Sequence, residues 1–327
     1  MTTPRQPRLV VLGDLLLDVV VTPERPVERG TDVPGRISFR RGGSAANVAA
    51  AFVRVGGIAT IITSLGDDRL GGRLAASLRA DGVRVRAVRQ PAASGRLAAL
   101  VDERGERSFV TQRAAADLLR AADLTPGWLR GADILHVPAY SLFAEPIGSA
   151  AVHAAAAAHQ AGIIVSADLS SRGPLVAFGV RRSRERLAEL APVVLFANRD
   201  EAAAILRQAG RRAWPGLLTH APLVVVKDGA WGCRVLWCDA PTAALRQLDV
   251  AAQRIGRIDT TGAGDAFAAG FLFTLARAAA PSIGRRDPGG RPDPTPWPDP
   301  ILQRAALAGH QSAAEALRRG RTEIDPW

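Results

Sequence analysis

Short apolar runs recur along this chain and alternate with helical stretches. The runs at 134–138, 193–197 and 223–226 have the length of strands that are buried on both faces. Buried strands that alternate with helices predict a mostly parallel sheet covered by helices, and right-handed crossovers then give a three-layer α/β/α sandwich. Ligands of such sheets bind outside the carboxyl ends of the strands. The predicted strands are 8–12, 15–21, 58–64, 134–138, 163–167, 193–197 and 223–226, and the predicted helices are 47–55, 71–80, 145–161, 184–190, 200–208 and 266–280.

Three segments depart from this alternation. Residues 15–41 and 95–112 are typical of strands with no helix between them, and 103–106 carry a hairpin turn signal. Residues 281–300 are rich in proline and glycine, which excludes both a helix and a central strand. We therefore predict one domain over 1–327, with a small second group of strands and a mobile surface loop at 281–300.

The segment from Asp259 to Phe267 reads Asp-Thr-Thr-Gly-Ala-Gly-Asp-Ala-Phe and precedes an apolar, alanine-rich helix. Small residues at 262–264 leave backbone N–H groups unobstructed at a helix N-terminus, which is an anion site. Asp265 lies in the first turn, where a carboxylate would repel an anion. A carboxylate there suits a base that accepts a hydroxyl proton as a phosphoryl group arrives, although a helix cap is the simpler alternative.

A second motif, Gly42-Gly43-Ser44-Ala45-Ala46-Asn47, begins another helix. Two glycines let the backbone approach a ligand closely, and Asn47 offers both a donor and an acceptor. The alternative is a strand-to-helix turn in which glycine provides the geometry and asparagine caps the helix.

Together the two motifs resemble the signatures of the pfkB, or ribokinase-like, family of carbohydrate kinases. The resemblance extends from Gly13 to about Gly320. It implies a ribokinase-like sandwich in which the small strands form a lid over the acceptor, and transfer of the γ-phosphoryl group of ATP to a hydroxymethyl group of a sugar or sugar-like molecule. The implied roles are the base at Asp265, the anion hole at Gly262, Ala263 and Gly264, and acceptor binding at Asp18, Gly42, Gly43 and Asn47.

Asp18 closes the run Gly13-Asp14-Leu15-Leu16-Leu17-Asp18. A carboxylate suits the implied role because it accepts hydrogen bonds from two adjacent hydroxyl groups. Leu16 stands where ribokinases carry a polar residue, which makes ribose itself a poor candidate. The alternative for Asp18 is a surface carboxylate at a strand end.

Asn198 and Glu201 match the family's Asn-x-x-Glu element, and residues three apart share one helix face. They could address one Mg²⁺ ion through water, since Mg²⁺ keeps most of its own waters. The same spacing also fits a capping box, and both roles can hold together.

Lys227, Gly229 and Gly232 follow another apolar run and resemble the family's nucleotide loop, with a hairpin turn as the alternative. Arg113 and Arg172 are further candidates for holding substrate or phosphate. For residues as common as arginine here, a surface position is the more frequent outcome.

Composition limits the kinds of partner that this protein is expected to have. The net charge of +11 invites nucleic-acid binding, but Lys227 is the only lysine among 42 basic residues and the arginines are scattered. We read the surplus as compositional bias and expect no specific nucleic-acid partner. No apolar run reaches the length of a membrane span and no signal peptide is evident, so we expect a cytoplasmic protein without a membrane partner, with Cys233 and Cys238 as free thiols.

The expected cofactors are ATP and Mg²⁺, with a monovalent cation left open, and a homodimer through the lid is also left open. Two rival functions remain. One is a nucleoside kinase of the same family, resembling adenosine or cytidine kinases. The other is a sugar-binding regulator that has lost turnover, against which the intact Asp265 and anion hole argue.

Overall fold

The fold contains two sheets. The computed structural model describes residues 5–102, 107–238, 244–253, 260–278 and 297–327. Within them, a nine-stranded sheet has the order β13-β12-β11-β10-β9-β8-β1-β4-β5, and a four-stranded sheet has the order β3-β2-β6-β7. The strands are β1 (Arg8–Leu12), β2 (Leu16–Pro23), β3 (Gly35–Gly42), β4 (Ile58–Gly66), β5 (Arg84–Gln90), β6 (Arg96–Val101), β7 (Arg107–Gln112), β8 (Ile134–Pro138), β9 (Ile164–Asp168), β10 (Val194–Asn198), β11 (Leu223–Lys227), β12 (Cys233–Cys238) and β13 (Leu245–Val250). The helices are α1 (Ser44–Arg54), α2 (Arg69–Ala80), α3 (Ala139–Leu142), α4 (Ile147–Gln160), α5 (Arg172–Phe178), α6 (Val180–Leu190), α7 (Arg199–Leu206), α8 (Ala263–Ala278) and α9 (Asp299–Arg319).

The large sheet is parallel from β5 to β11, and only β12 and β13 pair antiparallel at one edge. Helices cover both of its faces. On β10, Val194 and Phe196 enter one core cluster while Leu195 and Ala197 enter the other. From Val194 to Ala197 the strand is apolar because both faces are buried. The predicted α/β/α sandwich with a mostly parallel sheet is confirmed.

Helices α8 and α9 pack closely because two glycines face the contact. A Cβ atom at Gly270 would lie 2.5 Å from the carbonyl oxygen of Ala308, and one at Gly309 would lie 2.8 Å from the ring of Phe267. This packing fixes the position of the α8 N-terminus relative to the sheet.

The small sheet joins β2 and β3 to β6 and β7, the strands predicted around 15–41 and 95–112. Asp18 and Val20 point to one face, since side chains two apart on a strand share a side. Ile37, Leu100 and Val110 are exposed, and the strand register puts them on the other face. The small sheet therefore carries Asp18 on one face and exposed apolar side chains on the other.

Several boundaries differ from the predictions. Strands β5 and β13 and helix α5 were missed. Of the predicted loop at 281–300, residues 281–296 lie outside the described residues. Asp299 and Pro300 begin α9, so the prediction of a loop is wrong for these two residues. Proline is accepted at this place because the first turn of a helix needs no N–H donor. The predicted turn at 103–106 also lies outside the described residues.

No disulfide forms, and Cys233 is buried in β12. Among the described helices, none is both long enough and apolar enough to span a bilayer.

Candidate active site

The N-terminus of α8 opens at the carboxyl edge of the large sheet. Gly262 has a φ of +82°, a value that L-residues with side chains rarely adopt, and Ala263 N donates to the Thr260 carbonyl oxygen. The first turn of a helix presents N–H groups that have no partner within the helix. Gly262, Ala263 and Gly264 thus form the turn at the start of α8, where the N–H of Ala263 is already bonded to Thr260, while Asp259 lies outside the described residues.

Asp265 is held by the other motif. Ser44 Oγ donates to Asp265 Oδ1 at 2.6 Å, and Asn47 Nδ2 donates to Asp265 Oδ2 at 2.9 Å. Burial raises the pKa of Asp265 to about 6, although these two hydrogen bonds and Lys227 oppose the rise. A carboxylate with a pKa near neutrality is well matched to proton transfer.

The two glycines of the first motif accept no side chain. Gly43 has a φ of +100°, and its Cβ would lie 2.4 Å from the Asp14 carbonyl oxygen. A Cβ at Gly42 would lie 2.1 Å from Asp18 Oδ1. The Asp14 side chain also accepts from Ala45 N at 3.1 Å, which ties the start of α1 to the end of β1. Asp18 thus lies directly against the Gly-Gly turn, as an acceptor site shared by both elements would require.

Asp18 is buried, and it forms an ion pair with Arg321, which follows α9. It is therefore not a surface carboxylate. The sequence analysis did not single out Arg321, and no local pattern distinguishes it from the other arginines.

Lys227 reaches the same place from the end of β11. Its Nζ bonds to Asp168 Oδ2 at 2.5 Å and lies 3.2 Å from where a Cβ of Gly264 would stand. Burial alone would lower the pKa of Lys227, but the carboxylates of Asp168, Glu201 and Asp265 outweigh it, so the pKa is raised. Lys227 is accordingly a charged ammonium beside the α8 N-terminus.

Asn198 and Glu201 form a capping box at the start of α7. Asn198 Oδ1 accepts from Glu201 N at 2.9 Å, and Glu201 Oε2 accepts from Asn198 N at 2.7 Å. Glu201 Oε1 also accepts from Asn198 Nδ2 at 2.7 Å. Burial raises the pKa of Glu201 to about 7, with the charge of Asp168 adding to it. The capping alternative is what the geometry shows, and the described residues hold no group of three or more metal-binding side chains.

The loop after Lys227 is shaped by its glycines. Gly229 has a φ of +58° with open space beside it, while a Cβ at Gly232 would lie 2.0 Å from the Val250 carbonyl oxygen. Asp228 is buried between the guanidinium groups of Arg199 and Arg211, each at 2.5 Å. This loop is more than a simple hairpin turn, because Arg199 and Arg211, which lie outside it, both form ion pairs with Asp228.

Other contacts were not predicted. Ser44 belongs to the first motif, and its position in the motif was the only signal for its bond to Asp265. Arg107 of β7 donates to Thr261 Oγ1 and so links the small sheet to the turn before α8. Arg113 is mostly buried between Asp14 and Asp117, so the expectation of a surface position was wrong there.

Comparison with known proteins agrees with this geometry. A model described as "pfkB family carbohydrate kinase" matches residues 6–320. The Arabidopsis thaliana protein named "Probable fructokinase-6, chloroplastic" is 31% identical over 287 residues, which is 84% of this chain and 72% of that protein. "Fructokinase-2" of Oryza sativa subsp. japonica is 31% identical over 283 residues, covering 83% and 81% of the two chains.

Solved structures share the fold. Adenosine kinase from Sinorhizobium meliloti superposes with a TM-score of 0.76 at 22% identity, covering 96% of this chain and 94% of that one. Fructokinase from Vibrio cholerae O395, solved with fructose, ADP and calcium, superposes with a TM-score of 0.71 at 22% identity, covering 95% and 93%.

The fold and site define a small-molecule kinase of the ribokinase-like class. The chain belongs to the pfkB family of carbohydrate kinases, and it is a sugar kinase of that family.

Proposed function

We propose that this protein transfers the γ-phosphoryl group of ATP to a hydroxymethyl group of a sugar, with fructose as the first candidate and Asp265 as the general base. The observation that carries the proposal is the pair of hydrogen bonds from Ser44 and Asn47 to Asp265. They aim the carboxylate from the α8 N-terminus toward the motif that follows β3. Fructose ranks first because the relatives at 31% identity are named fructokinases.

The chain's own residues divide the work. Asp18, Gly42, Gly43 and Asn47 bind the acceptor, and Asp18 accepts hydrogen bonds from its hydroxyl groups. Asp265 takes the hydroxyl proton as the acceptor oxygen bonds to phosphorus and the bond to ADP breaks. In the anion hole at Gly262, Ala263 and Gly264, the N–H groups of the two glycines stabilise the charge of the transferring group, because donors fixed in advance need no reorganisation during the reaction. The N–H of Ala263 bonds to Thr260 and so holds the turn in shape.

Lys227, Gly229 and Gly232 belong to the nucleotide side. The charged Lys227 ammonium stands beside Gly264, close enough to contact a phosphate held at the α8 N-terminus. Its bond to Asp168 fixes the direction of the side chain. Asp168 thus acts through Lys227 rather than on the substrate.

The fit to Mg²⁺ is indirect. Both Glu201 oxygens already accept hydrogen bonds from Asn198. A carboxylate oxygen that already accepts one hydrogen bond can accept another from a water molecule. Because Mg²⁺ keeps most of its own waters, Asn198 and Glu201 fit a hydrated Mg²⁺ ion better than one that they bind directly. Mg²⁺ bound there would neutralise phosphate charge. A monovalent cation stays open, and rates in sodium, potassium and tetramethylammonium salts would decide it.

An acceptor panel with ATP tests the proposal. Fructose, ribose, other ketoses and aldoses, adenosine and cytidine would be compared by ADP release, with Asp265→Asn as the matched inactive control. Turnover of a sugar supports the proposal, whereas preference for adenosine or cytidine would favour the nucleoside kinase. Ligand-induced thermal shifts without turnover of any acceptor would favour the sugar-binding regulator.

The exposed apolar residues Ile37, Leu100 and Val110 of the small sheet support the further proposal of a homodimer through this lid. Sedimentation of the wild type and of Leu100→Glu would test it, since a monomeric wild type contradicts the proposal.

A cytoplasmic location and the lack of a specific nucleic-acid partner stay predictions from composition.

A further inference from the structure

Arg321 lies at the acceptor site although it follows the last helix of the chain. Its Nη2 atom donates to Asp18 Oδ2 and also approaches the Arg41 carbonyl oxygen at 3.4 Å. The two side chains of the ion pair are only 11% and 9% exposed. Arg321 also lines a small open cleft together with Asn47 and Gly262, so it adjoins both motifs of the site. An ion pair that is buried beside the proposed acceptor site can influence how the acceptor binds.

The segment that carries Arg321 is fixed to the small sheet. Arg41 N donates to the Thr322 carbonyl oxygen at 3.0 Å, and Ile324 N donates to the Phe39 carbonyl oxygen at 3.0 Å. The Trp327 ring packs edge-on against Phe39, with centroids 5.9 Å apart. Residues 322–324 therefore pair with β3 through one antiparallel bridge, between Arg40 and Glu323, and this pairing sets the register of Arg321 relative to β2.

We propose that Arg321 is a positioning residue of the acceptor site, which holds the Asp18 carboxylate for the acceptor hydroxyl groups. This inference rests on the proposed function, in which Asp18 binds the acceptor. The guanidinium group donates to Asp18 Oδ2, and the whole carboxylate lies against Gly42, which leaves it little space to move. Held in this direction, the carboxylate accepts from the hydroxyl groups of the acceptor.

Removal of Arg321 would take away a cation that pairs with a buried carboxylate. Such a group recruits water or turns toward another donor, and either change costs acceptor affinity. Among the described residues, Arg321 donates to Asp18 and Arg41 and not to Lys227, Gly229 or Gly232 of the nucleotide side. The expected signature is therefore a change in the KM of the acceptor with the KM of ATP preserved.

The experiment compares Arg321→Ala, Arg321→Lys and Arg318→Ala, using the most active acceptor among fructose, ribose and adenosine. Arg318 is a matched control because it is an exposed arginine in the last turn of α9. Arg321→Ala should raise the acceptor KM at least about tenfold, with the ATP KM changed less than about twofold. Arg321→Lys should recover part of the loss, and Arg318→Ala should behave as the wild type.

A double-mutant cycle with Asp18→Asn separates positioning from a structural role. If Arg321 acts through Asp18, the double variant should have an acceptor KM no higher than that of Asp18→Asn alone. Additive losses, or a loss in kcat alone, would overturn the inference. Should Arg321→Ala fail to fold, Arg321→Lys and Arg321→Gln are judged by the same criteria.

The cycle also distinguishes the two proposals. If Asp18→Asn raises the acceptor KM and Arg321→Ala leaves it unchanged, only the role of Arg321 is wrong. If Asp18→Asn itself has no effect, the assignment of the acceptor site falls, and the inference falls with it.

Discussion

Asn47 Nδ2 donates a hydrogen bond of 2.9 Å to Asp265 Oδ2, although 218 residues separate the two in the chain. The bond joins the start of α1 to the start of α8. Because α1 follows the Gly-Gly turn, which also touches Asp18, one helix connects the proposed acceptor site with the proposed base. Substitutions at Asp265 and at Gly42 test this connection from the side of the base and from the side of the acceptor.

Asp265→Asn keeps the shape of the side chain but removes its basicity. General-base catalysis is typically worth about 10²–10⁴-fold, so kcat should fall by at least that order. ATP and acceptor affinities should change much less, because the anion hole and Asp18 are untouched. Steady-state phosphorylation and ligand binding would be measured side by side. A variant that kept more than about a tenth of the wild-type kcat would make Asp265 a structural cap.

The rate should depend on pH through Asp265. Burial raises its pKa to about 6, and only the deprotonated form can accept the hydroxyl proton. The value of kcat/KM for the acceptor should therefore be constant above that pH and fall about tenfold per pH unit below it. Stopped assays between pH 4.5 and 9, in buffers of constant ionic strength, would measure the profile.

The fall in kcat/KM at low pH is the acidic limb of the pH profile. Glu201 is the other residue that could cause this limb, since its pKa is raised to about 7. The Glu201→Gln variant should keep the limb near pH 6 if Asp265 is the base. Disappearance of the limb in this variant would assign it to Glu201 instead.

Gly42→Ala should damage acceptor binding. The new methyl group would stand 2.1 Å from Asp18 Oδ1, so the carboxylate must move, and its pair with Arg321 opposes the movement. We expect the Kd of the acceptor to rise at least about tenfold, the cost of losing one hydrogen bond to a charged group. Gly72→Ala is the control, because nothing lies within 4 Å of its Cβ position in α2.

Isothermal titration of the acceptor into each variant would measure the effect. Gly72→Ala should bind as the wild type does and unfold at an equal or higher temperature, since alanine favours a helix interior by about 0.5–1 kcal/mol over glycine. Unchanged affinity in Gly42→Ala would show that Asp18 can yield without loss, against a fixed acceptor ligand.

The sequence predicted the parts of this protein whose residues are chemically restricted. The apolar runs became β8, β10 and β11 because a strand buried on both faces consists mostly of apolar residues. The glycines at 42, 43 and 262 were recognised because no other residue fits their space or their φ. By contrast, β5 alternates arginine with half-buried residues at a sheet edge, where the pattern is weak.

The contacts that escaped prediction are long-range pairs of common residues. Nothing near Arg321 in the chain marks it as the partner of Asp18, and arginine is the commonest charged residue here. The same holds for Arg107 and Thr261. Local sequence specifies local geometry, whereas the partner of an ion pair depends on how the whole chain brings distant segments together.

Lys227→Met tests the nucleotide side and separates activity from stability. The variant loses the ammonium beside Gly264, so kcat/KM for ATP should fall. It also leaves the buried Asp168 carboxylate without its cation, which should lower the free energy of unfolding by about 3–5 kcal/mol, the usual cost of breaking a buried ion pair. The double variant Lys227→Met with Asp168→Asn removes both charges and should regain most of the stability. It should regain none of the activity, since the phosphate contact is still missing. Urea unfolding and ATP-dependent turnover of the three proteins would measure both effects. If turnover returned with stability in the double variant, Lys227 would serve the fold alone and would have no role at the phosphate.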